Sequence, residues 1–259
     1  MKILVVGEQN SLDEFREKFI SKHAYTFIGI EELTKNVIKN IEVVFDFTLE
    51  NNPEGIKLYL PAPDSDGIRQ AGSEQEKLVL FVNAVKISLA EIYPQYLDNK
   101  DSKSEIRNPK SLPAEALAQA GEIHLFGFNG LPTMVNRTVL EVSIPDEKNT
   151  DILDRICRDL GTEYLVVKDR VGMVTPRVVC MIINEACYTL QEGTASIADI
   201  DQGMKLGTNY PYGPFQWADM IGVKNVYETL KAIYEDTKEE RYKICPLLKT
   251  KYLKGENFL

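Results

Sequence analysis

The chain has 259 residues, 44% of them hydrophobic and 27% charged, which leaves room for one large domain or two modest ones around a real core. That composition excludes a disordered chain, a collagen-like chain and a disulfide-rich miniprotein. Thirty Lys and Arg against 39 Asp and Glu give a net charge of −9, so no nucleic-acid partner is expected, because a phosphate-backbone binder needs a basic surface.

Residues 2–6 are an apolar run ending at Gly7 and read as a buried parallel strand. Ser11 and Glu14 stand at capping-box spacing and predict a helix running to about Lys22. A strand over 25–30, a helical pattern over 31–39 and a strand over 41–47 follow. Shorter strands are expected at 57–60 and 78–82. A helical run over 88–92 stops before Pro94, since the residue ahead of a proline is biased away from helix. Residues 93–113 are polar, with mixed charge from 98 to 110, and read as a surface insertion or connector. Strand character returns at 122–128 and 139–144. A helix over 150–160 carries Ile152, Leu153, Ile156 and Leu160 on one side and stops at Gly161. A last strand is expected at 164–167. Strands alternating with helices argue for an α/β layer with a mostly parallel sheet.

The character then changes, and a boundary near Asp169 divides the chain into domains 1–168 and 169–259. Thr175 as N-cap and Pro176 at the first helical position open a helix that is apolar nearly all round, from Val178 to Leu190. Such a helix is expected to be buried against several partners, a second subunit among them. Further helices are predicted near 197–206, 214–221, 224–234 and 246–253.

Cys157, Cys180, Cys187 and Cys245 form no CxxC pair, and the chain has only two histidines, His23 and His124. No metal site is expected, and the cysteines read as buried thiols in a reducing compartment. No run of about 18 apolar residues exists, and residues 1–7 are too short for a signal peptide. A cytoplasmic protein with no membrane partner is expected.

Residues 168–255 resemble the C-terminal domain of 3-hydroxyacyl-CoA dehydrogenases. The resemblance is carried by Ile183-Asn184-Glu185-Ala186, by Gly193 to Met204, and by Lys205-Leu206-Gly207. Pro211-Tyr212-Gly213-Pro214, Ala218-Asp219-Met220-Ile221-Gly222 and Pro246-Leu247-Leu248 complete it. It implies an α/β, Rossmann-like N-terminal domain followed by an all-helical dimerisation domain that also closes a substrate cleft. It further implies NAD as cofactor, an acyl-CoA ligand, a homodimer through the helical domain, and oxidation of 3-hydroxyacyl-CoA to 3-oxoacyl-CoA.

The family's chemistry is largely replaced. Where the family carries G-x-G-x-x-G, this chain has Gly7-Glu8-Gln9-Asn10-Ser11-Leu12. Gly7 alone remains, and Glu8, Asp13 and Glu14 place negative charge where a pyrophosphate would lie. Glu31 stands about where the family's ribose-binding carboxylate does, with a solvated helix-start residue as the plainer account. The N-T-S-S motif aligns with Asn83-Ala84-Val85-Lys86, so Asn83 is kept, the substrate-contacting serine is lost, and Lys86 reads as a surface lysine. The segment with the catalytic histidine aligns with Asn129-Gly130-Leu131-Pro132, which puts Asn129 in the histidine's place. Glu141 matches the carboxylate that orients it. An asparagine amide has no useful pKa and cannot take a proton as hydride leaves. His124, an odd number of residues before Asn129 on a strand, is not expected to substitute. Gly7, Glu31 and Asn83 are therefore the candidate cofactor residues, and Asn129 and Glu141 the candidates for the catalytic position. Glu185 and Asp219 are read as ties between helices. Three outcomes stay open: a family member with weak or lost catalysis that still binds an acyl-CoA or nucleotide or acts by dimerising, an NAD-using dehydrogenase with a remodelled site in which His124 or Glu141 is the base, or a structural partner that pairs with an active paralogue through the helical domain.

Overall fold

Short runs of Val, Ile, Leu and Phe line up as one seven-stranded sheet in a computed structural model, which describes residues 1–19, 23–59, 78–92, 123–145 and 147–259. The strands are β1 (Lys2–Val6), β2 (Ala24–Ile28), β3 (Val43–Asp46), β4 (Leu78–Asn83), β5 (Ile123–Phe128), β6 (Val139–Ser143) and β7 (Glu163–Val167). Their spatial order is β2-β1-β3-β4-β5-β6-β7. All neighbours are parallel except β5 and β6, which run antiparallel. Alternate residues feed the two faces. Ile3 and Val5 join the cluster beneath α1 (Gln9–Lys18) and α4 (Thr150–Leu160), while Leu4 and Val6 join the opposite one. The order reverses between β1 and β3, so a crevice opens at the carboxyl ends of those two strands.

After β7 the chain is helical. It comprises α5 (Thr175–Gln191), α6 (Ile197–Thr208), α7 (Pro214–Ile221), α8 (Val223–Thr237) and α9 (Pro246–Lys254), packed round a second core that includes Cys180, Ile183, Phe215 and Leu230. The short helices α2 (Lys35–Ile38) and α3 (Leu89–Ile92) flank the sheet. The expected α/β layer followed by a helical domain is what the chain forms.

Local expectations differ in four places. Helix α1 begins at Gln9 with Glu8 at its N-cap, so Ser11 does not cap it. Residues 31–39 are not one helix: a 3-10 turn, Ile30–Glu32, is separated from α2 because Leu33 and Thr34 go extended and Leu33 turns into the core. Lys57 and Leu58 belong to a 3-10 turn, Pro53–Leu58, opened by Pro53 and anchored by buried Ile56, and not to a strand. Thr175 is the first residue of α5 and not its cap. The polar stretch at 93–113 and Leu60 lie outside the described residues.

Candidate functional site

The switch-point crevice widens between the sheet and the helical domain into a cleft of about 1510 Å³. Gly7, Glu31 and Asn83 line it, as do Gly130, Tyr212 and Asn225. Asn129 and Glu141 lie just behind it, both buried.

The Asn129–Glu141 pair is a product of the antiparallel β5–β6 contact. Past the last paired residues, Asn129 N–H still donates to the Glu141 carbonyl at 3.0 Å, which sets the two side chains on one side. Asn129 Nδ2 is 3.4 Å from Glu141 Oε2, and its Oδ1 accepts from Leu131 N–H at 3.2 Å. The rest of the Glu141 carboxylate faces the first turn of α5. It accepts from Val174 N–H at 2.5 Å and from Thr175 N–H at 3.1 Å. A carboxylate there satisfies orphan helix donors and meets the positive end of the helix dipole. The turn that presents those N–H groups runs through Gly172, at φ 83, where a Cβ would stand 2.5 Å from Ile233 Cδ1. Only glycine fits that close approach.

An amide and a carboxylate are thus paired there, with the carboxylate fixed by the donors at the start of α5. His124 lies apart from this pair. It sits at the other end of β5, and its Nδ1 is 3.1 Å from Asn149 Oδ1.

Lys86 departs from expectation. It is not a surface lysine: 9% of its side chain is exposed. Its ammonium lies 3.3 Å from Glu50 Oε1, 2.8 Å from Glu228 Oε2 and 3.3 Å from Asn225 Oδ1. Glu50 follows β3 and Glu228 lies on α8, so the ammonium joins the sheet to the helical domain. Burial pushes the Glu50 carboxyl above its usual range, against the pull of Lys86. The two carboxylates hold the Lys86 ammonium above its ordinary value despite burial. Lys86 is protonated and fully engaged, so it offers no base.

The Glu14 carboxylate lines the cleft, as its reading as a charge near the pyrophosphate position requires, but is also engaged by the backbone. It accepts from Thr133, Val135 and Asn136 N–H at 2.9, 2.9 and 3.0 Å, fastening α1 to the loop between β5 and β6. Beyond β3, buried Asp46 collects Thr48 N–H, Thr48 Oγ–H, Leu49 N–H and the Tyr59 hydroxyl, the last at 2.5 Å. Burial raises the Asp46 carboxyl and, with the nearby Asp46 charge, the Tyr59 phenol. Sequence patterning flagged neither group, since their partners come from tertiary packing.

The residues that carry the family resemblance turn out to be caps and ties. Asp201 accepts from Phe215 and Gln216 N–H at the start of α7, and a Cβ on Gly213 would collide with it. Asn184 pairs with the backbone of Lys243 and Cys245. Asp219 accepts from Phe258 and Leu259 N–H, so it ties its helix to the segment after α9 and not to another helix, and the Glu185 side chain is exposed.

A dinucleotide does not fit the residues present. The β1–α1 turn carries Gln9 and Leu12 where the family has its second and third glycines, and Leu12 packs under Gly7. Glu31 is exposed in its 3-10 turn. Asn83 Oδ1 is taken by Gly130 N–H at 3.0 Å. Glu8, Glu17, Glu31 and Glu32 line the cleft. Among the described residues the facing cations are Lys86, already paired, Arg137 and Lys224. Among the described residues there is no group of three or more side chains able to hold a metal ion, and no helix long and apolar enough to cross a membrane.

Comparison with known proteins agrees with this architecture. Residues 172–257 match the family described as 3-hydroxyacyl-CoA dehydrogenase, C-terminal domain. A 3-hydroxyadipyl-CoA dehydrogenase of Escherichia coli K12 is 44% identical over 93 residues, covering 36% of this chain and 20% of that protein. A 3-hydroxybutyryl-CoA dehydrogenase of Bradyrhizobium diazoefficiens is 31% identical over 127 residues, covering 49% and 43%. The matches thus span less than half the length of these curated relatives. The crystal structure of (S)-3-hydroxybutyryl-CoA dehydrogenase from Ralstonia eutropha superposes with a TM-score of 0.65 at 21% identity, over 98% of this chain and 94% of that one. The fold is therefore a Rossmann-like layer with a helical C-terminal domain. Over residues 172–257 the chain is similar to the C-terminal domain of 3-hydroxyacyl-CoA dehydrogenases.

Proposed function

We propose that this chain is a 3-hydroxyacyl-CoA dehydrogenase-fold protein in which hydride-transfer chemistry is lost. It works as a non-catalytic, dimerising protein whose cleft takes a ligand of the acyl-CoA class. The observation that carries this reading is the Asn129–Glu141 pair: the carboxylate and the hydrogen-bonded frame are present, and the group that must accept a proton is an amide. Two further features support it. Lys86, in the position of the substrate-contacting serine, is locked between two carboxylates, and the residues retained from the family are helix caps and packing glycines.

The homodimer is proposed to form through the helical domain. Val174, just ahead of α5, and Val178 in its first turn are each 53% exposed, an apolar patch on a helix whose other face is buried. Four buried free thiols accord with a reducing, cytoplasmic setting.

The deciding experiment is an NADH-oxidation assay with acetoacetyl-CoA on the purified chain and on Asn129→His. The expected result is no turnover above background for the native chain. Turnover at an ordinary dehydrogenase rate would overturn the proposal. Sedimentation of the native chain and of Val178→Glu tests the dimer, which the charge is expected to split.

A further inference from the structure

We infer that the switch-point crevice is closed to a dinucleotide and that Phe47, the residue after β3, is what closes it. This deepens the proposed function without sharing its test, since nucleotide binding is read separately from turnover.

Two backbone points flank the mouth of the crevice, Gly7 after β1 and Gly130 after β5. A Cβ built on Gly7 would stand 3.2 Å from Phe47 Cβ, and one built on Gly130 would stand 3.0 Å from Phe47 Cδ1. One aromatic side chain therefore spans the gap between them. Phe47 is not free to swing aside. It is 6% exposed, its ring meets Phe128 edge-to-face at 4.9 Å, and Phe15 stands 6.4 Å off at 88°. Its backbone is pinned as well, with Phe47 N–H donating to the Val6 carbonyl at 2.9 Å. A dinucleotide at a switch point needs its pyrophosphate against the backbone of the first turn, which only bare glycine allows. Here the Phe47 ring and Leu12 Cδ2 both crowd the point where a Gly7 Cβ would stand, at 3.4 and 3.5 Å.

Charge acts in the same direction. Glu8 stands at the N-cap of α1 and Glu31 and Glu32 across the cleft, while the ammonium of Lys86 is consumed by Glu50 and Glu228. A ligand with two phosphates would meet carboxylates at the turn and no buried cation left over among the described residues. Part of a ligand that reaches only the helical side of the cleft, past Leu131, Tyr212 and Met220, meets neither obstacle.

Calorimetric titration of NADH into the full-length native chain tests this directly. No saturable binding at millimolar NADH is expected, and micromolar binding would overturn the inference with no variant needed. Phe47→Ala and Phe47→Val, each combined with Glu8→Gln, test the assignment to Phe47. A variant that keeps the native near-ultraviolet dichroism is expected to gain at least about tenfold in NADH affinity. A folded variant with no gain would overturn the role given to Phe47. If NADH fails to bind yet an acyl-CoA does, the inference and the proposed function both stand. If NADH binds and turnover is nil, this inference falls and the proposed function remains.

Discussion

The Lys86 ammonium, on the sheet side of the cleft, sits 2.8 Å from the Glu228 carboxylate of the helical domain, with Glu50 closing the cluster from the loop after β3. The cluster bridges the sheet layer and the helical layer, beside Val85, Leu131 and Met134, which pack into the helical core. A buried ammonium held by two carboxylates is costly to disrupt from one side, because the remaining charges are left unpaired.

Lys86→Met is therefore expected to destabilise the chain by about 3–5 kcal/mol, by the usual cost of stranding buried charge. Urea unfolding measures it. Lys86→Met with Glu50→Leu and Glu228→Leu is expected to recover most of the loss. Equal destabilisation of the single and triple variants would show that packing, and not charge, is what Lys86 contributes.

Glu141 is expected to matter for stability more than for chemistry. Glu141→Ala leaves the α5 donors at Val174 and Thr175 without their carboxylate, a loss of about 2–3 kcal/mol by the usual worth of a helix cap and buried donors. Glu141→Gln keeps one acceptor oxygen and is expected to lose less. Thermal melts of the two variants check the order.

Asn129→His is expected to restore the hydrogen bond to Glu141 and to leave turnover at background, because the nucleotide crevice stays blocked. A pH titration of the new imidazole by NMR is expected to show a pKa above the ordinary histidine value of about 6.5, since the Glu141 carboxylate favours the charged ring. An unshifted histidine would mean that the side chain points away from Glu141.

Alkaline instability follows from the cysteines. Burial, reinforced by Asp154, pushes the Cys157 thiol from 9.0 up to about 12, and burial lifts Cys180 to about 12 as well. Unfolded thiols ionise near their ordinary value, so between that value and about 12 the native state holds more protons than the unfolded one. The stability they confer is complete below the ordinary thiol value and is lost as pH climbs towards the native one. The melting temperature is expected to fall from pH 8 upwards, with a shallower slope in Cys157→Ala. Identical slopes would remove Cys157 from the explanation.

Much of the fold was legible in the chain itself. The apolar runs ending at Gly7 and Phe47, the alternation of strand and helix, and the Gly213-Pro214 start of α7 each have a local physical cause. The pairing of Asn129 with Glu141 is a local feature too, since the two flank the same short β5–β6 connection. What stayed hidden depends on partners far along the chain. Lys86 read as a surface residue because neither Glu50 nor Glu228 is a sequence neighbour. Glu14 sat at capping-box spacing, yet its acceptors were claimed by the loop at 133–136. Phe47 looked like one more strand residue, and only the approach of Gly7 and Gly130 shows what its ring obstructs.

The antiparallel junction of β5 and β6 has a consequence for the order in which the site assembles. Asn129 and Glu141 are 12 residues apart, whereas Lys86 and Glu228 are 142 apart. Closing the longer loop in a disordered chain costs about 2 kcal/mol more conformational entropy, from the logarithmic dependence on loop length. A hairpin-scale contact also closes on the order of microseconds. The amide–carboxylate pair is therefore expected to close before the wall that faces it, which needs the helical domain in place.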